Sequence, residues 1–459
     1  MAALAELIER VDTADRTPLL VAIGLGALIA AALALFPFMY VVAGLGAVLV
    51  IGLCFLNRLA VIFLLLPAVA LSPEVRVAGI PIRAEDVLMV PLVAAWIFHL
   101  CVVKSRSSTA LDRVMIAYLL VAFVATAWGA ALGTAHLTST EKDTSAAFHL
   151  LKRTEFVLLF LIMVDTLTTP RHVFGVASVL LGSLVALAAY GLTQYFANGL
   201  ISAGPTGSPG HEPGLGSMLT VALGATMLPA LRGPARALLA AAMVFCLVTL
   251  PLTLGRNYLT TTLLVFLYVA IVQRQRWILL LLPAAWVIGV TLYPSYVIDR
   301  ILTLQGALAV DPTGAATQGA SLLSRIQPPS FYGLLALGHS PLLGFGLASI
   351  PLGFPDSEFV TQLYYTGLVG FGIFLVMGTR LFRMAREVVV GGTDAAAVGL
   401  ARGCQLIFAA YAIHSVFSPS ISADRAGWFF FFAAALLAAL HRSTNAAGRM
   451  DASQRSVDS

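Results

Sequence analysis

Charge is scarce in this chain of 459 residues: Asp, Glu, Lys and Arg make up 11%, against 59% hydrophobic residues. A soluble globular domain carries roughly a quarter charged residues, so this scarcity excludes an ordinary soluble protein and makes lipid the solvent. Cysteine is rarer still. Cys54, Cys101, Cys246 and Cys404 all fall inside apolar runs, which argues against disulfides and Cys-rich metal sites. No phosphate-binding or dinucleotide-binding glycine pattern follows a predicted strand, and no internal repeat stands out, so an ATP-driven pump is not expected. The net charge of +5 would suit nucleic acid in a soluble protein. Here the basic residues sit in short segments between apolar runs, where they orient helices, and no nucleic-acid partner is expected.

What the chain has in abundance is apolar runs near the ~20 residues that a helix needs to cross a bilayer. They predict an all-α polytopic membrane protein with about 14 transmembrane helices. The spans fall near residues 19–36, 38–55, 59–73, 86–103, 114–132, 154–168, 173–197, 214–231, 236–254, 258–272, 277–294, 359–378, 396–417 and 426–440. Residues 1–18 are mixed and polar, so the first run reads as an uncleaved span rather than a secretory signal. The segments are thus a cytoplasmic N-terminus (1–18), a helical block (19–293), a large loop (294–358), a second helical block (359–440) and a polar, mobile cytoplasmic tail (441–459).

Lys and Arg accumulate on the cytoplasmic side of membrane proteins. With both ends cytoplasmic, two thirds of the 27 basic residues fall on that side. Arg76, Arg83, Lys142, Lys152, Arg153, Arg256, Arg300, Arg325 and Arg425 fall on the opposite, trans side and need another partner. The loop from Pro294 to Glu358 is the one long trans segment; its middle, Leu304 to Gly319, reads as mobile and its second half as partly helical.

Polar residues collect at predicted trans-side helix ends: Lys152, Arg153 and Glu155; His211 and Glu212; Arg256 and Asn257; and Arg325, His339, Asp356 and Glu358. Arg256 and Arg325 suit a phosphate group, because a guanidinium offers planar paired donors. Snorkelling accounts for Arg256 as well. Arg153 can be a third phosphate ligand, pair with Glu155, or cap a helix. Asp356 and Glu358 precede a span, where helix capping and a role as general base both fit. His211 and Glu212 lie in a Gly/Pro-rich turn that suits either a ligand contact or a plain turn. His339 precedes Ser-Pro-Leu-Leu-Gly-Phe-Gly, whose glycines point to a tight turn more than to catalysis. His414 lies within a span and reads as an interhelical hydrogen bonder.

Three of these segments, in this order, resemble the O-antigen ligase and Wzy-type polysaccharide polymerase superfamily. Leu254-Gly-Arg-Asn-Tyr-Leu resembles its Ser-Arg-Gly segment. Ser324-Arg-Ile with His339-Ser-Pro-Leu-Leu-Gly-Phe-Gly-Leu is similar to its Arg and Pro-Leu-x-Gly-x-Gly run. Asp356-Ser-Glu-Phe-Val-Thr-Gln-Leu-Tyr-Tyr-Thr-Gly-Leu-Val-Gly follows its His-Asn-x-Tyr-Leu-x-x-Leu-x-x-x-Gly-x-x-Gly pattern. Ligases of the family begin that pattern with His, whereas its exopolysaccharide polymerases often have Asp there, so Asp356 turns the resemblance towards a polymerase. Gly207 to Gly216 resembles an earlier trans-side loop, without the Arg that ligases tend to carry.

The resemblance implies a GT-C-like, inverting, metal-independent glycosyltransferase of the bacterial inner membrane. Its substrate would be undecaprenyl-pyrophosphate-linked oligosaccharide met from membrane lipid, without a cofactor. A flippase and chain-length or export proteins of the same pathway would be partners. Asp356 would be the base, Arg256, Arg325 and Arg153 the pyrophosphate ligands, and His211, Glu212, Glu358 and His339 substrate contacts. The rivals are a ligase moving finished glycan to a lipid or protein acceptor, a transporter or flippase, and a peptidoglycan-strand polymerase.

Overall fold

The computed structural model describes residues 48–72, 75–77, 80–103, 106–135, 145–198, 211–253, 256–272, 332–349, 357–417 and 424–457, with 279, 287 and 291 singly. Helices make up nearly all of it: α1 (Arg58–Leu71), α2 (Ala84–Val103), α3 (Asp112–Ala131), α4 (Ala146–Thr166), α5 (Pro170–Asn198), α6 (His211–Met227), α7 (Gly233–Leu252), α8 (Arg256–Val272), α9 (Glu358–Gly391), α10 (Ala395–Phe417) and α11 (Asp424–Val457). Residues 48–56 and 332–339 are helical too. Strands β1 (Val75–Val77) and β2 (Ile80–Ile82) form an antiparallel hairpin between α1 and α2, a small correction to the all-α expectation.

Among the described residues, seven helical stretches are long and apolar enough to cross a membrane: Ala84–Val103, Asp112–Ala131, Pro170–Gln194, Gly233–Leu250, Glu358–Gly391, Ala395–Val416 and Ala426–Asn445. Arg58–Leu71 and Thr260–Ile271 are shorter apolar helices. The architecture is that of a polytopic helical membrane protein. The expected span at 19–36, most of 38–55, and all of 277–294 apart from 279, 287 and 291 lie outside the described residues.

Burial separates two kinds of helix. On α2, Val87, Val90, Ile97 and Phe98 are more than half exposed, a face that only lipid would cover. On α11 every residue from Trp428 to Leu440 is at most 4% exposed. An all-apolar sequence such as Trp-Phe-Phe-Phe-Phe-Ala-Ala-Ala has no polar side to turn outward, so α11 becomes the central post of the bundle. It packs on α4, α9, α10 and α5.

Three expected boundaries move. The fourth helix begins at Ala146 rather than 154, because Ser145 caps it by accepting from the Phe148 N–H at 3.4 Å. The α9 helix continues to Gly391 rather than 378; its final turns bury Leu381, Met384, Ala385 and Val388, a one-sided apolar stripe that extends the helix beyond the hydrophobic run. The polar tail expected from residue 441 is helical to Val457.

The α9 helix is broken at Gly367, where φ is 62° and ψ is −167°. A break deep in a bundle is tolerated only if its backbone groups find other partners. The turn at 340–349 supplies them: Phe345 N and Gly346 N donate to the carbonyls of Tyr364 (2.9 Å) and Tyr365 (3.0 Å), while Leu368 N and Val369 N donate to Pro341 O (2.7 Å) and Leu342 O (3.2 Å). The Pro-Leu-Leu-Gly-Phe-Gly run is therefore a backbone splint for the broken helix, as its glycines suggest.

Candidate functional site

The α4 helix carries four charges along an otherwise apolar stretch, and each needs a partner inside the bundle. Lys152 and Arg153 are adjacent but serve different neighbours. Lys152 reaches Asp86 at the start of α2 and Glu155 one turn on, at 2.9 Å. The hairpin feeds the same corner: Arg83 N donates to Asp86 Oδ2 at 3.0 Å, and Ser72 donates to Glu85 at 2.5 Å. Removing Lys152 as Met would leave two largely buried carboxylates without their shared cation. Breaking such a pair costs about 3–5 kcal/mol. The expected result is a clear fall in the thermal unfolding midpoint of detergent-solubilised protein, largely restored when Asp86→Asn and Glu155→Gln are added.

Arg153 points the other way, into a network drawn from three helices. Its Nη1 donates to the Tyr118 hydroxyl on α3 at 2.7 Å and to Gln362 Oε1 on α9 at 3.1 Å. Gln362 Nε2 in turn donates to Tyr118 Oη at 3.2 Å and to Glu358 Oε1 at 2.6 Å. The guanidinium carbon lies 5.2 Å from the centre of the Tyr118 ring. All four residues are buried, Glu358 and Gln362 completely. Glu155, an expected partner of Arg153, is paired with Lys152 instead. Arg153 is also deeper than expected: it comes 7 residues after Ala146, about 10 Å of helix inside the end of the bundle.

Glu358 is the first residue of α9, where its charge meets the positive end of the helix dipole. Ser357 is the N-cap residue, yet its hydroxyl donates to Ser415 O of α10 at 3.2 Å instead of capping. That bond sets the start of α9 beside the end of α10. One residue back, His414 stacks on Tyr258 with ring centroids 4.7 Å apart. The Glu212 carboxylate lies near the buried Tyr258 phenol. A second group, Glu212, Tyr258 and His414, is thereby brought next to the first through the Ser357 contact.

The sequence-predicted residues divide accordingly. Arg153 and Glu358 fall in one network, and Glu212 in the adjoining group. His339 is exposed at the end of helical residues 332–339. Arg256 and His211 head α8 and α6, with their side chains outside the described residues, as are Arg325 and Asp356 altogether. Sequence reasoning missed Tyr118, Gln362 and Tyr258 as members of the site. Gln362 had a signal, a polar residue one turn after Glu358 in an apolar helix; Tyr118 had none, because its partner lies 35 residues away on another helix.

The chemistry available is a fixed, buried cation hydrogen-bonded through an amide to a carboxylate. Such a cation stabilises developing negative charge, and a carboxylate accepts a proton. No protein-family model matches the chain, and no curated protein matches it.

Proposed function

We propose that this protein is a glycosyltransferase of the bacterial inner membrane that polymerises undecaprenyl-pyrophosphate-linked glycan at the periplasmic face, in a GT-C-like bundle of about 14 spans with both termini cytoplasmic. The observation that carries this reading is the chain Arg153–Gln362–Glu358. It ties a buried guanidinium to the acidic start of the helix that follows Asp356, across 209 residues of sequence. In the reaction, the bond between the anomeric carbon and the pyrophosphate oxygen breaks as the acceptor hydroxyl attacks from the opposite face. The leaving electron pair goes to the pyrophosphate, where Arg153, Arg256 and Arg325 offset its charge. The hydroxyl proton goes to Asp356, since a carboxylate can accept a proton without a cofactor. His211, Glu212, Glu358 and His339 are the candidate sugar contacts, and flippase and export proteins the candidate partners.

A second reading, a flippase or transporter, is favoured by the break at Gly367 and by the depth of Arg153, since transporters use broken helices and buried charges along a substrate path. One experiment separates the readings. In cells lacking the native gene, lipid-linked intermediates and polymer are extracted after expression of wild type, Asp356→Asn or Arg256→Ala. For a polymerase, both variants reach the membrane, polymer is lost, and single lipid-linked repeats accumulate accessible to a membrane-impermeant oxidant. Repeats protected from that oxidant would make it a flippase. Long polymer held on its carrier would make it a ligase, and wild-type polymer in both variants would overturn the site.

A further inference from the structure

At the opposite end of the bundle, the last turn of α4 closes over a cavity of about 500 Å3. Asp165 is 12 residues beyond Arg153 on the same helix, about 18 Å away, so this cavity is separate from the site above. Its polar lining includes Arg58, His99, Ser107, Asp165, Thr166 and His172, supplied by α1, α2, the segment before α3, α4 and α5. The basic-residue bias places this end at the cytoplasmic surface.

Asp165 is fully engaged: Arg58 Nη1 donates at 3.1 Å, Trp96 Nε1 at 3.2 Å and Ser107 N at 3.1 Å. Its charge is thus neutralised by the wall of the cavity. Other polar atoms there are not satisfied. Thr166 Oγ1 and His172 Nδ1 are buried with no hydrogen-bond partner among the described residues. So are two flanking donors, Arg106 Nε next to Ser107, and Arg442 Nη1, whose Nη2 donates to Leu167 O at 2.9 Å. Arg442 lies near both Asp165 and Asp112, and Arg106 pairs with Asp112. Among the described residues, three guanidiniums therefore face two carboxylates, and two of the four orphaned atoms can only donate.

Leaving buried polar atoms unmatched is costly, and the Thr166 hydroxyl and His172 ring in the lining, with the Arg106 and Arg442 guanidiniums behind it, suit an acceptor-rich ligand. At an interface of predicted cytoplasmic side, basic pockets between helices suit phosphorylated lipid headgroups. We propose that this cavity binds a phosphoryl group, that of an acidic phospholipid in the adjoining leaflet. The inference does not depend on the glycosyltransferase reading, since none of its residues belongs to that site.

The test uses the full chain purified in detergent and titrated separately with dioctanoyl phosphatidylglycerol, dioctanoyl phosphatidylcholine and inorganic phosphate, reading the thermal unfolding midpoint. Thr166→Val and His172→Phe are compared with wild type, and Gly372→Ala, where an added methyl group meets no atom within 4 Å, serves as the control. The expected result is a saturable rise with phosphatidylglycerol and none with phosphatidylcholine. Without lipid, Thr166→Val unfolds at the same or a higher temperature, because it deletes a hydroxyl that has no partner. It then needs about ten-fold or more phosphatidylglycerol for the same rise, while the control responds as wild type. A rise with inorganic phosphate as well would keep the phosphoryl site and make a free anion its source. Equal response to phosphatidylcholine, no response to either phosphate-bearing anion, or unchanged titrations in both cavity variants would overturn the proposal.

Discussion

Gly367→Ala is expected to remove most of the folded protein from the membrane, as read by the monodisperse peak of a fluorescent fusion after detergent extraction. The residue has φ of 62°, and a methyl group there would meet the backbone carbonyl of Leu342 at 2.3 Å. A positive φ with ψ near 180° is essentially a glycine conformation and alone costs an alanine about 1–3 kcal/mol. The clash is with main chain, which cannot swing aside, so the turn at 340–349 must separate from α9. Each of the four backbone hydrogen bonds that splint the break is then at risk, and an unmet buried backbone group costs about 1–3 kcal/mol. Gly372, on the same helix with no atom within 4 Å of an added methyl group, is the control. Gly372→Ala should leave yield unchanged or raise it slightly, since alanine is the better helix former by about 1 kcal/mol. Equal yields from the two variants would show that the break is not needed for folding.

Under the proposed polymerase reading, Arg153→Lys is expected to reach the membrane and to lose glycan polymerisation by about 10²-fold or more. Lysine preserves the charge that offsets Glu358, but a single ammonium on a flexible stem cannot reproduce a planar guanidinium that bonds Tyr118 and Gln362 while lying over the Tyr118 ring. A structural role predicts something else: a lower unfolding midpoint with polymer length and yield intact. Polymer analysis together with the unfolding midpoint therefore separates the two, and full activity in the lysine variant would remove Arg153 from the site. Tyr118→Phe is a milder version, deleting the hydroxyl that accepts from both Arg153 and Gln362.

The parts of the fold legible beforehand were those written as runs. Helices such as α2, α3 and α10 begin and end within a few residues of the apolar windows, because a membrane helix must match the thickness of hydrocarbon. Where the run was interrupted, reading failed. Lys152 and Arg153 were expected just outside the trans end of a span starting near residue 154, because isolated charges are costly to bury, yet Asp86, Tyr118 and Gln362 satisfy them inside α4. The end of α9 was missed for a related reason: Arg380, Arg383 and Arg386 break the hydrophobic window, but the helix continues on a stripe of Leu381, Met384, Ala385 and Val388.

The candidate site shows the same division. Arg153, Glu212 and Glu358 could be picked out singly, as ionisable residues that a membrane protein keeps only for a reason. Their grouping could not, since Arg153 meets Gln362 across 209 residues and Tyr118 across 35. The cavity lined by Arg58, Asp165 and His172 had no local signal at all.

By itself, then, the sequence determined that this chain lives in lipid, roughly where its helices lie, and which few charged residues stand out against that solvent. These follow from composition and from runs of neighbouring residues, which act over one helix at a time. Only the tertiary structure decided that α11 is the central post, that a glycine turn splints the break at Gly367, and that adjacent Lys152 and Arg153 serve separate networks. Each of those depends on which helix faces which, and a buried charge or an open backbone group is satisfied by whatever packing brings to it rather than by its neighbours in the chain.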